Sequence, residues 1–335
     1  MNKWESIIDG PFKPTWESLR TFKTPEWFKN AKFGIWSHWG PQAVPMYGDW
    51  YARNMYIEGS PQYLHHWRKY GHPSQHGWKD VVKLWKAEKF DPEDLMDKYT
   101  AAGAKYFVAQ AAHHDNFDNW NSTHNKWNSV KMGPEKDIVG LWQKAAQKRG
   151  LPFGVTEHLG ATFSWWAHNK NHDVNGPYAG VPYDGNDPSY KDLYLANGDE
   201  PILAQQGDNW YTANEGWHRH WFDRVKDLID QYKPDLLYSD GPVPFEKYGL
   251  GIIAHLYNTS AAGNGGINSA VYNQKDKNPL VFKVGVLDFE RNVQADAFPW
   301  PWQTDTCVGG WFYDVRQKYK SPRQVIEMLV DIVAK

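Results

Sequence analysis

Five places in the chain set a histidine or a carboxylate just past a short apolar run. The run 33–36 leads to His38, and 105–112 leads to His113 and His114. The run 151–156 leads to Glu157 and His158, 236–238 to Asp240, and 284–289 to Glu290 and Arg291. Taken alone, Asp240-Gly241 is ordinary turn chemistry. Five runs ending alike point further, because the C-terminal ends of parallel strands converge on one face of an α/β barrel. Three chemistries could use such a ring. Asp240 and Glu290 could flank a glycosidic bond, one as nucleophile or base and the other as acid. His38, His113, His114 and His158 could ligate a metal that activates water. Against the metal, adjacent side chains of an extended strand face opposite ways, so His113 and His114 should not share one ion. No H-E-x-x-H spacing is present either. A lectin-like protein could hold a sugar on tryptophans and histidines, but it would not need two carboxylates on separate strands.

The elements that must position these groups alternate. Strands are expected near 33–37, 105–111, 152–157, 236–239, 270–273, 284–289 and 305–309. Helices are expected over 25–30, 60–70, 91–103, 137–149, 215–232, 249–259 and 321–335. Ser60 and Asp91 stand as N-caps with proline next, and Gly103 and Gly150 follow the helix ends. Trp217, Trp221, Val225, Leu228 and Ile229 form one apolar stripe. Strands alternating with helices imply a parallel sheet with right-handed crossovers. The expectation is a single (β/α)8-like (TIM) barrel domain over 1–335, one strand short. An arm over 1–24 should pack on its body. The stretch 72–90 reads as a peripheral excursion, and 160–209 as a loop-rich insertion over the barrel mouth.

Composition narrows the partners. A net charge of −2 gives no electrostatic case for nucleic acid or an anionic membrane. The single cysteine, Cys307, excludes an internal disulfide and a cysteine-based zinc site. No apolar run reaches the 18 or so residues of a membrane span. The first residues lack the apolar core of a signal peptide, which leaves cytoplasm and export after processing both open. Tryptophan, at 20 residues, outnumbers phenylalanine at 15. That excess suits flat, partly apolar ligands such as pyranose rings.

The segments 32–45 (KFGIWSHWGPQAVP) and 48–56 (GDWYARNMY) resemble the N-terminal signature of the alpha-L-fucosidases of glycoside hydrolase family 29. The segment 111–122 (AAHHDNFDNWNS) resembles that family's double-histidine motif, and 235–241 (DLLYSDG) its nucleophile strand. The segments 288–292 (DFERN) and 302–306 (WQTDT) are similar to its acid/base segment and following tryptophan loop.

The resemblance implies an exo-acting, retaining enzyme that removes terminal L-fucose from oligosaccharides or glycoconjugates without a cofactor or metal. Asp240 would be the nucleophile and Glu290 the acid/base, with Glu157 and Glu246 as the other carboxylates in reach of that role. His38, His113, His114 and Trp50 would meet fucose hydroxyls, and Trp302 would wall the C5 methyl. Asp49 stands where the family usually has glutamate, and His158 where many members carry another residue. Both join the expected substrate contacts, as does the strand-end Arg291. Family members usually continue into an eighth strand and a β-sandwich domain. The open seam is therefore expected to be covered in a homo-oligomer. A fucose-binding, catalytically impaired barrel is the competing expectation.

Overall fold

The computed structural model describes residues 6–204 and 207–335. Its centre is one parallel sheet whose strands pair in chain order. These are β1 (Ile35–Ser37), β2 (Phe107–Ala112), β3 (Phe153–Glu157), β4 (Leu236–Ser239), β5 (Val271–Gln274), β6 (Val286–Asp288) and β7 (Trp302–Gln303). Every residue of β2 through β6 is buried. That is the pattern of parallel strands covered on both faces, and it explains why they read as apolar runs. Six of the expected strands stand within about two residues of their expected places, within the usual scatter of strand ends. The seventh does not lie at 305–309. Leu287 registers with Trp302 and Asp288 with Gln303, so pairing is complete before residue 305. Beyond it, Arg291 and Asp305 continue the contact by one backbone bond of 2.8 Å, and the chain then turns at Gly309-Gly310.

Thirteen α-helical segments surround the described sheet. In chain order they are α1 (Trp16–Leu19), α2 (Glu26–Ala31), α3 (Tyr51–Asn54), α4 (Pro61–Tyr70), α5 (Trp78–Leu84), α6 (Pro92–Ala101) and α7 (Ile138–Lys148). Then follow α8 (Leu159–Trp165), α9 (Lys191–Tyr194), α10 (Glu215–Tyr232), α11 (Lys247–Gly263), α12 (Pro279–Phe282) and α13 (Pro322–Val333). The expected caps are present: the Ser60 side chain accepts from Tyr63 N–H, and Asp91 accepts from Glu93 and Asp94 N–H. Each cap is worth about 1 kcal/mol.

The stretch 72–90 is not peripheral. It contains α5, whose Trp78, Val81 and Val82 are fully buried in the main core with Trp85 behind them. Their i, i+3, i+4, i+7 spacing is that of a helix face. The insertion is also more ordered than its composition suggests. All seven residues of α8 are buried. Downstream, Asp184 accepts from the hydroxyls of Tyr56 and Tyr194 and pairs with Lys79, while Asp173 accepts from Tyr63, Tyr183 and His72. From residue 6 onward the arm lies against α11; residues 1–5 lie outside the described residues, as do 205–206 of the insertion. Phe12 and Phe22 meet the Tyr257 ring at 5.1 and 4.9 Å, and the Asn258 amide bonds the Ile8 and Phe12 carbonyls. No described helix is long and apolar enough to cross a membrane.

Candidate active site

The strand ends do converge. Asp240 follows β4, and its two oxygens are served by different elements. Oδ2 accepts from His158 Nδ1 at 3.0 Å, past β3, and lies 3.3 Å from His114 Nε2, past β2. Oδ1 accepts from the Tyr238 hydroxyl at 3.1 Å and the Lys275 ammonium at 2.5 Å. Burial pushes the Asp240 pKa up, but Lys275, His158 and the His114 contact outweigh it and hold the carboxyl well below its usual range. Asp240 is therefore an anion at neutral pH.

Glu290, past β6, accepts from the same ammonium at 2.5 Å. Two contacts of 2.5 Å to one nitrogen keep Asp240 Oδ1 and Glu290 Oε2 no more than twice that, 5.0 Å, apart. Burial works to lower the Lys275 pKa, yet Asp240, Asp305 and Glu290 together raise it, so the lysine stays charged. Beneath it, Asp305 N–H donates to Asp288 Oδ1 at 3.0 Å, and burial of this carboxyl pair pushes both pKa values up. Like charges in that position share a proton.

The histidines form one cluster. The ring of His113 lies 4.5 Å from both His114 and His158, and 5.0 Å from His38. The expectation that His113 and His114 face apart fails for two reasons. Both lie beyond the end of β2, and the register with β3 shifts between Gln110 and Ala112, which re-aims the side chains after the shift. Their nitrogens and that of His158 lie within 4.8 Å of one another, as do ligand atoms of His38, Asp49 and His113.

Hydrogen-bond partners assign the tautomers. The Gln42 amide donates to His113 Nδ1 at 2.9 Å, which leaves the proton on Nε2. His158 donates from Nδ1 to Asp240, and its Nε2 is buried without a hydrogen-bond partner among the described residues. The Nε2 atoms of both rings are thus left for the hydroxyls of a ligand. Burial lowers the pKa of His38, His113 and His114, so neutral rings are favoured at the first two.

The remaining expected residues divide. Asp49 joins the site through Trp50, whose left-handed backbone (φ 55°) lets its N–H donate to Asp49 Oδ1 at 2.8 Å. Burial pushes the Asp49 pKa up to about 6. The Trp50 ring stands 6.4 Å from His114. Arg291 lies over the Trp311 ring at 5.6 Å. Trp302 sits apart from the histidines: it packs on Phe289 at 5.6 Å in a separate apolar cluster with Phe282 and Leu287. The aromatic faces against His38 are instead Trp311 at 5.6 Å and Phe312 at 4.5 Å. Glu157 is fully buried and its oxygens are taken by Ser239, Trp221 and Leu159 N–H, while Glu246 is exposed beside α11.

Two loops close this side. Gly48 N–H donates to the Tyr313 carbonyl and Val315 N–H to the Met46 carbonyl, making an antiparallel clasp between Tyr47 and Asp314. Beside it a groove of about 440 Å³ runs from Asp49 past Trp311 and Phe312 to Arg316.

Residues 2–335 match the family model described as Alpha-L-fucosidase. The chain is 32% identical to the tissue alpha-L-fucosidase of Rattus norvegicus over 232 residues, 69% of this chain and 42% of that one. It is 30% identical to the plasma alpha-L-fucosidase of Homo sapiens over 255 residues, 74% and 47% of the two. The chain thus spans less than half the length of these relatives. The fold superposes on the alpha-fucosidase of Thermotoga maritima in complex with fucose with a TM-score of 0.71 at 26% identity, covering 95% of this chain and 68% of that one. A strand-end carboxylate in a ring of histidines is thus met by a model match over nearly the whole length, and the chain belongs to the alpha-L-fucosidase family.

Proposed function

We propose that this chain hydrolyses terminal alpha-L-fucosides with retention, through a covalent fucosyl-enzyme intermediate. Asp240 is the nucleophile and Glu290 the acid/base. The observation that carries the reading is the spacing of these two groups on one ammonium. An oxygen separation of at most 5.0 Å is compatible with the roughly 5–5.5 Å between carboxyl groups of retaining glycosidases and well short of the 6.5–9.5 Å that leaves room for an inverting water. An Asp240 held ionised by Lys275 and His158 fits a nucleophile, and the partly exposed Glu290 fits a group that exchanges protons with leaving group and water.

The fucose ring would bind in the histidine cluster. His113 Nε2–H and His158 Nε2 would meet its hydroxyls, with His38, His114, Asp49 and Trp50 around them. Trp311 and Phe312, which touch His38, would supply the apolar wall for the methyl in place of Trp302. Arg291 would border the leaving-group side. The seven-stranded sheet is read as a barrel short of its eighth strand, and a homo-oligomer as the state that covers the seam.

The test is turnover of an aryl alpha-L-fucoside. Asp240→Gly should abolish it, by at least about a thousandfold, with unchanged circular dichroism. Glu290→Ala should be slow and partly restored by azide, with the fucosyl azide formed as its α-anomer. Full activity of Asp240→Gly would overturn the assignment. Binding of L-fucose by the parent chain with no turnover would favour the lectin-like reading instead.

A further inference from the structure

Tyr238 lies two residues before Asp240, so both side chains leave the same face of the strand, the tyrosine one layer deeper. Its ring is almost fully buried and edge-on to Trp36 at 5.0 Å. Its hydroxyl stands 3.1 Å from Asp240 Oδ1 and 3.3 Å from Asp305 Oδ2. A phenol has one proton to give, and here two carboxyl oxygens stand in reach of it. The groups facing this hydroxyl come from three strand ends: Asp240 on its own strand, Lys275 beyond β5 with its ammonium 5.6 Å from the ring centre, and Asp305 beyond β7 backed by Asp288 of β6.

We propose that Tyr238 is a switching hydrogen-bond donor, which serves Asp240 while that group is a carboxylate and turns to Asp305 while Asp240 is an ester. The inference rests on the nucleophile role proposed above. In the first displacement an Asp240 oxygen bonds the anomeric carbon. The leaving oxygen departs with the bonding pair and takes the proton of Glu290. Asp240 thereby loses its charge, and the better acceptor for the phenol becomes Asp305. In the second displacement a water oxygen bonds the anomeric carbon and gives its proton to Glu290, and the carboxylate leaves with its electron pair. As negative charge returns to Asp240, the phenol swings back and stabilises it. Donors aimed at charge that develops only in the transition state accelerate that step. The same bond in the resting enzyme blunts the attacking carboxylate, so a second acceptor at Asp305 keeps the donor from binding Asp240 too tightly.

The two residues therefore have opposite kinetic signatures on an activated aryl fucoside. Tyr238→Phe should slow the second displacement: kcat falls about tenfold, KM falls with it, kcat/KM stays within about twofold, and a pre-steady-state burst of aryl alcohol appears. Asp305→Leu, which removes the resting place while leaving the phenol, should slow the first displacement: kcat/KM falls about fivefold, KM does not fall, and no burst appears. A shared structural role would move both variants the same way. The proposal is overturned if Tyr238→Phe leaves kcat and KM within twofold of the parent, or if both variants shift in the same direction. An inactive parent chain would instead sink the hydrolase reading itself, and this inference with it.

Discussion

Asp49 carries an expense that its surroundings make measurable. Burial raises its pKa to about 6, above the usual value near 3.8. The folded protein therefore binds a proton more tightly than the unfolded chain, and stability falls as pH rises from about 4 to 6. Asp49→Asn removes that loss, so its melting temperature should exceed the parent's at pH 7 and match it at pH 4. If Asp49 accepts a hydroxyl only when ionised, the parent's KM for an aryl fucoside should rise as pH drops below about 6, and the variant's KM should be high and flat. Coincident melting curves at pH 7, or a parent KM level from pH 7 to 5, would remove the residue from this role. At this scale most of the site is legible in the sequence: Asp240, Glu290 and the four histidines all follow strand ends. Lys275 is not. Strand-end reasoning would find it one residue past β5, but the apolar run there ends that strand at Asn273 and leaves Lys275 in a connection. Trp311 and Phe312 leave no local signal, because they reach His38 only through a loop that folds back from the far end of the chain.

The turn after β4 is where an element holds the chemistry. Gly241 has φ +138°, and a methyl group there would meet the Tyr211 hydroxyl at 2.5 Å. That hydroxyl is anchored on the Pro242 carbonyl at 2.8 Å and has no slack to withdraw. Gly241→Ala should cost on the order of 1–3 kcal/mol in denaturant unfolding. It should also lower kcat more than it raises KM, because Asp240 is the adjoining residue. A variant as stable and active as the parent would show that this turn is not under constraint. The elements themselves are readable wherever periodicity is long, as in α10 and the buried strands. Two errors have physical causes. In α5 the helical spacing of Trp78, Val81, Val82 and Trp85 is masked by lysines and histidines around it. In β7, pairing is set by where β6 ends, information that residues 305–309 do not carry.

At the scale of the molecule, β1 and β7 each pair with a single neighbour among the described residues. Following β7 in the chain, α13 has no buried residue and exposes Ile326, Val330 and Val333 at 60%, 63% and 42%. Their i, i+4, i+7 spacing is one stripe of a helix. Such a stripe marks a surface meant to be covered. The proposed homo-oligomer predicts a mass above the monomer's 38.9 kDa by light scattering at micromolar concentration. Ile326→Glu with Val330→Glu should return it to the monomer. A parent chain that is already a well-folded monomer would defeat that reading.

The clasp between Tyr47 and Asp314 gives the molecule a history as well as a shape. It joins segments near opposite ends of the described chain, and through Asp49 and Trp311 it borders the proposed fucose pocket. Contacts so distant in sequence bear the largest loop-closure entropy and form late. On that ground the proposed pocket should be among the last parts of this chain to form: helices and sheet can be complete in a molecule whose proposed sugar site is not yet assembled.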